Sequence, residues 1–294
     1  VKLKEANRPV LYAGNGIRWS GGMKVFHELI NKLQIPVVTC WDSIDLIGND
    51  NPLYCGRGGN MGDRAGNFAV QNSDFLLCIG TRLNVYQVGW HVEKWAREAF
   101  AIVVDIDPEE LKKKIMRADL PVCADAKEFM QTLLDGLPEL DYTIWHDWQK
   151  QCNTWKNKYP VVCKGQYEEK GLTNTYAFLD TLSRSLPPES LTVVANGSAS
   201  VMGSQSYYIK SGDRFIMNCA LSSMGYAVPA AVGVSQALGE HDIICIEGDG
   251  SIMMNLQELQ TIVTNKLPIK IFIINNNGYH QVRQTQDNIF HNGY

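Results

Sequence analysis

Two polar runs, each at the end of an apolar segment, carry the residue types best suited to chemistry. Gly248-Asp249-Gly250-Ser251 follows Ile243-Ile244-Cys245-Ile246-Glu247, and Asn275-Asn276-Asn277-Gly278 follows the apolar residues 269–274. Asp249 and Asn276 stand 27 positions apart. The stretch between them, with a helix expected over residues 256–265, is long enough for a right-handed crossover joining two parallel strands. Such strands deliver both side chains to one carboxyl edge of a sheet, the edge at which open α/β sheets bind ligands. If the strands are neighbours they lie about 4.8 Å apart, and one cation reaches both side chains. A carboxylate and an amide oxygen suit a hard ion such as Mg2+, which takes oxygen ligands and shares them with phosphates. A backbone carbonyl near Gly278 is a third candidate ligand. Gly248 and Gly250 let the backbone pass close to phosphate oxygens, and the N–H groups of Gly250 and Ser251, leading into a helix, suit an anion. A plain polar turn is the alternative for Gly248-Asp249-Gly250 alone, because a chain of this length holds about one G-x-G by chance. The composite of strand, G-D-G-S, helix, strand and N-N carries the reading.

The elements that must position these residues are legible as alternating strands and helices. Strands are expected at residues 9–13, 36–39, 75–80, 101–105, 191–195, 214–217, 243–247 and 269–274. Helical spacing joins Val25, Phe26, Leu29, Ile30 and Leu33, then Phe129, Leu133 and Leu134, then Tyr176, Leu179, Leu182 and Leu186, and runs through residues 226–238. This alternation implies an α/β fold of two doubly wound, mainly parallel-sheet domains, residues 1–165 and 166–294. Trp145, Trp148, Cys152, Trp155 and Tyr159 form the aromatic face of a connecting helix, expected to pack on a domain or a partner, and Pro160 ends it. The 294 residues include 45% hydrophobic and 20% charged side chains, an ordinary globular balance, with a net charge of -4 and no basic stripe. That balance argues against nucleic acid as a partner, and the lack of a long apolar stretch argues against a membrane span. Eight cysteines without a C-x-x-C pair fit neither a zinc site nor a disulfide framework; Cys78 and Cys245 read as buried small hydrophobes, and the expected compartment is a reducing, cytoplasmic one. The start at Val1 and the stop at Tyr294, with no helix closing the last strand, read as the ends of a fragment.

The G-D-G-S to N-N composite resembles the signature of thiamine-diphosphate (ThDP) enzymes. Residues 248–259, Gly-Asp-Gly-Ser-Ile-Met-Met-Asn-Leu-Gln-Glu-Leu, resemble the metal segment of the acetolactate synthase and pyruvate oxidase family. The resemblance implies a Mg2+–diphosphate site on Asp249, Asn276 and Gly278, with Gly248, Gly250 and Ser251 against the cofactor. Residues 222–231 resemble the preceding segment, where the family places an apolar side chain under the bent cofactor; Met224 holds that position, with a core methionine as the alternative. Asn196-Gly197-Ser198-Ala199 resembles a loop that touches the diphosphate. The first half resembles the family's middle domain, which binds FAD, ADP or nothing. Gly14-Asn15-Gly16 matches its first turn, although Trp19 stands where a dinucleotide fingerprint has its third glycine. Gly80-Thr81-Arg82 matches a segment whose arginine contacts flavin nucleotide, and Asp105 and Asp125 match adenosine-side positions; a strand-end or helix-cap role is the alternative for each carboxylate.

As a whole, the resemblance implies a ThDP- and Mg2+-dependent carboligase, acetolactate synthase-like, that decarboxylates a 2-keto acid such as pyruvate and transfers the acyl unit to a second carbonyl. The alternatives are a 2-keto acid decarboxylase or lyase on the same scaffold and a non-catalytic nucleotide-binding module. Two departures bear on the outcome. Leu83-Asn84-Val85-Tyr86 replaces an acidic pair and a second arginine, and Thr285 stands where the family has a tryptophan that narrows the acceptor pocket. The second departure implies an acceptor bulkier than pyruvate, such as a keto-sugar. The family's catalytic glutamate lies on an N-terminal pyrimidine domain, usually the partner subunit's, and no such domain is visible here. The resemblance therefore implies an inactive fragment of a full-length homodimer or homotetramer.

Overall fold

The computed structural model describes residues 2–114, 117–139, 141–239 and 241–290. Val1 and Tyr294, read above as fragment ends, lie outside the described residues. The chain divides into two compact units, Val1–Val161 and Val162–Tyr294, each with its own parallel sheet.

The first sheet has six strands, β1 (Pro9–Ala13), β2 (Val37–Thr39), β3 (Tyr54–Arg57), β4 (Phe75–Ile79), β5 (Phe100–Asp105) and β6 (Leu120–Cys123). They lie in the order β3-β2-β1-β4-β5-β6, all parallel. The central strands β1 and β4 are buried along their whole length, so they read as unbroken apolar runs rather than alternating ones. Successive side chains take opposite faces. Leu11, Leu77 and Ile79 enter one core with Phe26, Leu29 and Ile30 of the Met23–Leu33 helix. Val10, Tyr12, Leu76 and Cys78 enter another with Ala69 and Val70 of the Arg64–Asn72 helix. The aromatic stripe packs on this same unit: Trp148 and Cys152 of the His146–Lys158 helix join the second core and Trp145 the first. The indole N–H of Trp145 donates to the Ala6 carbonyl (2.8 Å) and that of Trp148 to the Pro9 carbonyl (3.0 Å). All seven tryptophans belong to this unit.

The second sheet has four parallel strands, β7 (Leu191–Val194), β8 (Arg214–Met217), β9 (Ile243–Gly248) and β10 (Ile269–Ile274), in the order β10-β9-β7-β8. The winding reverses between β7 and β9, because β8 lies on one side of β7 and β9 on the other. A ligand crevice is expected outside the carboxyl ends of strands flanking such a reversal. One expectation needs correction: a helix, His280–Phe290, follows β10. None of its residues is buried, and Val282, Ile289 and Phe290 are its only apolar side chains, too few for the stripe by which core-facing helices are read from sequence. Among the described residues no helix is long and apolar enough to cross a membrane. None of the eight cysteines is in a disulfide, and Cys78 and Cys245 are buried as expected; burial pushes the Cys245 thiol up to about 12.

In the first unit the winding reverses between β1 and β4, and the turns that follow those strands interlock. Gly14 N–H donates to the Ile79 carbonyl and Gly16 N–H to the Gly80 carbonyl, both at 3.0 Å. A Cβ on Gly14 would stand 2.2 Å from the Gly80 oxygen, and one on Gly16 2.8 Å from Gly80 Cα. These contacts are backbone to backbone, so no side chain can swing away to make room. Gly14→Ala is therefore expected to cost more than the roughly 1–3 kcal/mol of ordinary overpacking. Urea unfolding followed by far-ultraviolet circular dichroism checks this, and an unchanged midpoint would show that the two turns separate freely.

Candidate functional site

Strands β9 and β10 pair in register through Gly248 and Ile274, so the residues that follow them emerge side by side. Asp249 closes the gap. Its Oδ2 accepts the N–H groups of Asn276 (3.1 Å) and Gly278 (2.7 Å), and its Oδ1 accepts that of Gly250 (2.8 Å). Bonds from N–H to a carboxylate are the stronger kind. They hold a turn in which Asn277, Gly278 and Tyr279 all have positive φ, at 62°, 80° and 50°. Glycine takes that conformation without steric cost; for a bulky residue such as Tyr279 it is strained. The Arg283 guanidinium donates to the Asn276 carbonyl at 2.7 Å. The side-chain Oδ1 of Asn276 is buried and has no donor among the described residues. An acceptor left so costs about 1–3 kcal/mol unless something takes it, and a bound cation would. Among the described residues no three His, Cys, Asp or Glu side chains converge on a metal position. A cation at this edge would be held by one carboxylate, an amide oxygen and backbone, with the remaining ligands supplied by whatever it brings.

A cleft opens over this edge. Its walls are the Asn196–Ala199 loop after β7, Met224, the segment 248–251 and Asn276. Gly197, with φ 65° and ψ −134°, occupies backbone space essentially reserved for glycine. Met224 is half-buried and faces the cleft rather than filling a core. The Ser251 hydroxyl accepts the Gly225 N–H and Asn255 Nδ2 donates to the Gly225 carbonyl, each at 2.8 Å, which ties the Met224 turn to the Asp249 segment.

The two glycines of the segment differ. A Cβ on Gly248 would meet only Ser251 Cβ at 3.8 Å, so open room lies beside it, whereas one on Gly250 would strike the Tyr279 ring at 2.9 Å. Two details depart from expectation. The Gly250 N–H is turned to Asp249 rather than left for an anion. The helix it opens is one turn, Asp249–Ile252, and the crossover helix proper is Glu258–Thr264. Gly278 contributes its N–H to Asp249 and does not itself line the cleft. Tyr279, His280 and Gln281 do line it and were missed; their only signal was adjacency to Asn276. Thr285 is exposed, donates to the Gln281 carbonyl (3.1 Å) and lies outside the lining.

In the first unit, Gly16, Gly80, Asp105 and Asp125 line a second cleft at the carboxyl edge, with Trp19, 84% exposed, at its rim. Asp125 caps the Ala126–Gly136 helix by accepting the Lys127 and Glu128 N–H groups (2.9 and 3.1 Å), and Asp105 accepts the Asp107 N–H at 3.0 Å. Helix cap and strand end thus describe the bonds these carboxylates make within the protein. Gly14 lies behind the lining. Arg82 also lies outside it, in an ion pair with Glu110 at 3.0 Å.

Residues 2–133 match the family described as thiamine pyrophosphate enzyme, central domain, and residues 195–294 match the thiamine pyrophosphate enzyme C-terminal TPP binding domain. The acetolactate synthase large subunit of Cyanidium caldarium is 32% identical over 296 residues, covering 99% of this chain and 49% of that protein. Acetolactate synthase isozyme 2 large subunit of Escherichia coli (strain K12) is 30% identical over 294 residues, 99% of this chain and 51% of that protein. Acetolactate synthase 1, chloroplastic, of Zea mays is 32% identical over 290 residues, 97% and 44%. The chain spans about half the length of these relatives.

Beneath the cleft, Glu247 is wholly buried, and its Oε2 has no donor close enough to bond it. Burial pushes its carboxyl above the ordinary range, opposed by the Ser251 hydroxyl and by backbone N–H groups of Gly248, Ala227 and Val228. The last two belong to the first turn of the Ala227–Leu238 helix, where a negative charge is favoured. A carboxyl raised in the folded state binds its proton more tightly there than in the unfolded chain. Its contribution to stability is therefore flat below the ordinary carboxylate range and falls as the pH climbs through the raised value. Glu247→Gln, which does not ionise, should gain on the wild type as the pH rises from about 4 to about 7. Urea midpoints measured across that range decide the matter, and parallel curves would remove the burial argument.

Proposed function

Because the chain belongs to the thiamine pyrophosphate enzyme family, we propose that the cleft of its second unit anchors the diphosphate of ThDP through Mg2+. The observation that carries this is the Asn276 Oδ1, a buried oxygen without a partner among the described residues, at the sheet edge that Asp249 occupies. Asp249, Asn276 Oδ1 and the Gly278 carbonyl are the protein ligands, and diphosphate oxygens and water complete the shell of a hard ion. Three backbone N–H groups fix the Asp249 carboxylate before any cation arrives. The open room beside Gly248 accommodates phosphate, and Gly197, Ser198 and Ala199 face it across the cleft. Met224 offers the apolar shelf for the cofactor's bend. Bound ThDP supplies a carbon nucleophile able to decarboxylate a 2-keto acid and pass the acyl unit to a second carbonyl.

For the whole protein we read an acetolactate synthase-like carboligase, as the relatives are named, acting as a homodimer or homotetramer. A 2-keto acid decarboxylase is the second reading. An acceptor larger than pyruvate draws on the sequence departure at Thr285 alone, since that residue is outside the cleft lining. The first unit's cleft is read as a nucleotide site, FAD or ADP, with the exposed Trp19 indole as a stacking surface. A flavin contact by Arg82 requires its pair with Glu110 to open. That costs little, because Arg82 is 64% exposed and such pairs contribute about 0–1 kcal/mol.

The test is NMR identification of products formed by the full-length gene product from pyruvate, Mg2+ and ThDP. Acetolactate supports the carboligase and free acetaldehyde alone the decarboxylase. Calorimetry should show Asp249→Ala losing Mg2+-dependent ThDP binding. Asn276→Ala should weaken it by at least about tenfold, the lower bound for outer partners of a metal. Wild-type affinity in both variants would place the cofactor elsewhere.

A further inference from the structure

We propose that Arg283 is a positioning residue for the metal site, acting through the backbone of Asn276; this rests on the Mg2+–ThDP reading above. Asn276 must present Oδ1 to the cation while its own peptide sits at the head of the 277–279 turn, whose three residues all have positive φ. Such a turn does not hold its shape unaided, because two of its three residues are not glycine. Two groups hold it from opposite ends. On the strand side, Asp249 Oδ2 accepts the N–H groups of Asn276 and Gly278. On the helix side, Arg283 donates to the Asn276 carbonyl at 2.7 Å, and its own N–H donates to the Tyr279 carbonyl at 2.9 Å. The Asn276 peptide is thus gripped at both its N–H and its carbonyl.

Arg283 stands in the first two turns of the His280–Phe290 helix. Among the described residues, its guanidinium is the polar tie that reaches from this helix back across the turn to a residue of the site. The helix buries none of its residues, so apolar packing contributes little to where it sits. A directed, charge-assisted bond is what remains to fix it. Arg283 Nε is itself buried without a partner among the described residues. A cationic head is therefore held at the site edge by one guanidinium bond among the described residues, with a further donor available there. Its positive charge does not favour a cation, so its contribution is geometric: it sets the direction of Asn276 Oδ1.

The experiment is titration of Mg2+ at fixed ThDP by isothermal calorimetry, with the full-length protein, Arg283→Met and Arg283→Lys. Methionine keeps an apolar stem and deletes the donors, and lysine restores one. The half-saturating Mg2+ concentration is expected to rise about tenfold in Arg283→Met, the effect of losing an outer partner of a metal, and to return to within about threefold of wild type in Arg283→Lys. Circular dichroism run alongside separates this from unfolding. If Arg283→Met does not fold, Arg283→Gln, shorter and uncharged, takes its place: a tenfold loss in a folded Arg283→Gln upholds the role, and an affinity equal to wild type overturns it. Arg283→Met binding Mg2+ as wild type does would also overturn it. If the wild type shows no Mg2+-dependent ThDP binding, the cofactor reading has failed rather than the role of Arg283.

Discussion

The second unit depends on a single carboxylate bridging two strands. Parallel strands in register bring their carboxyl ends level, but they do not determine what the chain does after leaving them. Asp249 does so here, because it leaves β9 as Asn276 leaves β10 and captures two N–H groups of the other strand's turn. The turn is bent into a conformation that side chains disfavour, and it leaves one amide oxygen buried with no hydrogen-bond donor among the described residues. The cleft above follows from these bonds. The Ser251 hydroxyl and Asn255 amide carry the same rigidity to Met224 through Gly225. A site that is rigid before its ligand arrives binds without the entropy loss of ordering itself.

Both units place a cleft at the carboxyl edge of a doubly wound sheet, near the reversal of strand order, yet they use glycine differently. In the first unit, Gly14 and Gly16 are consumed by contact with Gly80, so the motif that looks shaped for a ligand serves first to close two turns on each other. In the second, Gly250 makes room for the Tyr279 ring, while Gly248 leaves space that no protein atom fills. Three glycines answer to the protein itself and one to open space, and sequence alone does not separate these roles.

That distinction explains what was legible. The α/β architecture and most strands could be read because β1, β4 and β9 are buried on both faces and spell continuous apolar runs. β3 and β6 escaped notice: β3 contains Gly56 and ends in Arg57, and β6 is an exposed edge carrying Pro121. The spacing of Asp249 and Asn276 could be read because a crossover fixes it. Arg283, Tyr279 and Gln281 could not, since each reaches the site by side-chain length or by a left-handed turn, and neither leaves a period in the sequence. The roles of Asp105 and Asp125 as strand end and cap stood among the alternatives, and their hydrogen bonds are of that kind.

The placement of the tryptophans has an optical consequence. Every indole belongs to the first unit and none to residues 162–294, whose aromatic rings are those of tyrosine, phenylalanine and histidine. Light absorbed by indole alone interrogates one unit of a two-unit chain, and its emission is blind to melting of the other. Trp19, almost fully in water at the rim of its cleft, contrasts with Trp145 and Trp148, which are sealed in the cores. Iodide should quench the first and spare the other two. Tyrosine does not divide in the same way, since Tyr12, Tyr54, Tyr86, Tyr142 and Tyr159 lie in the first unit, so in this unmodified polypeptide it is indole emission that reports one unit by itself.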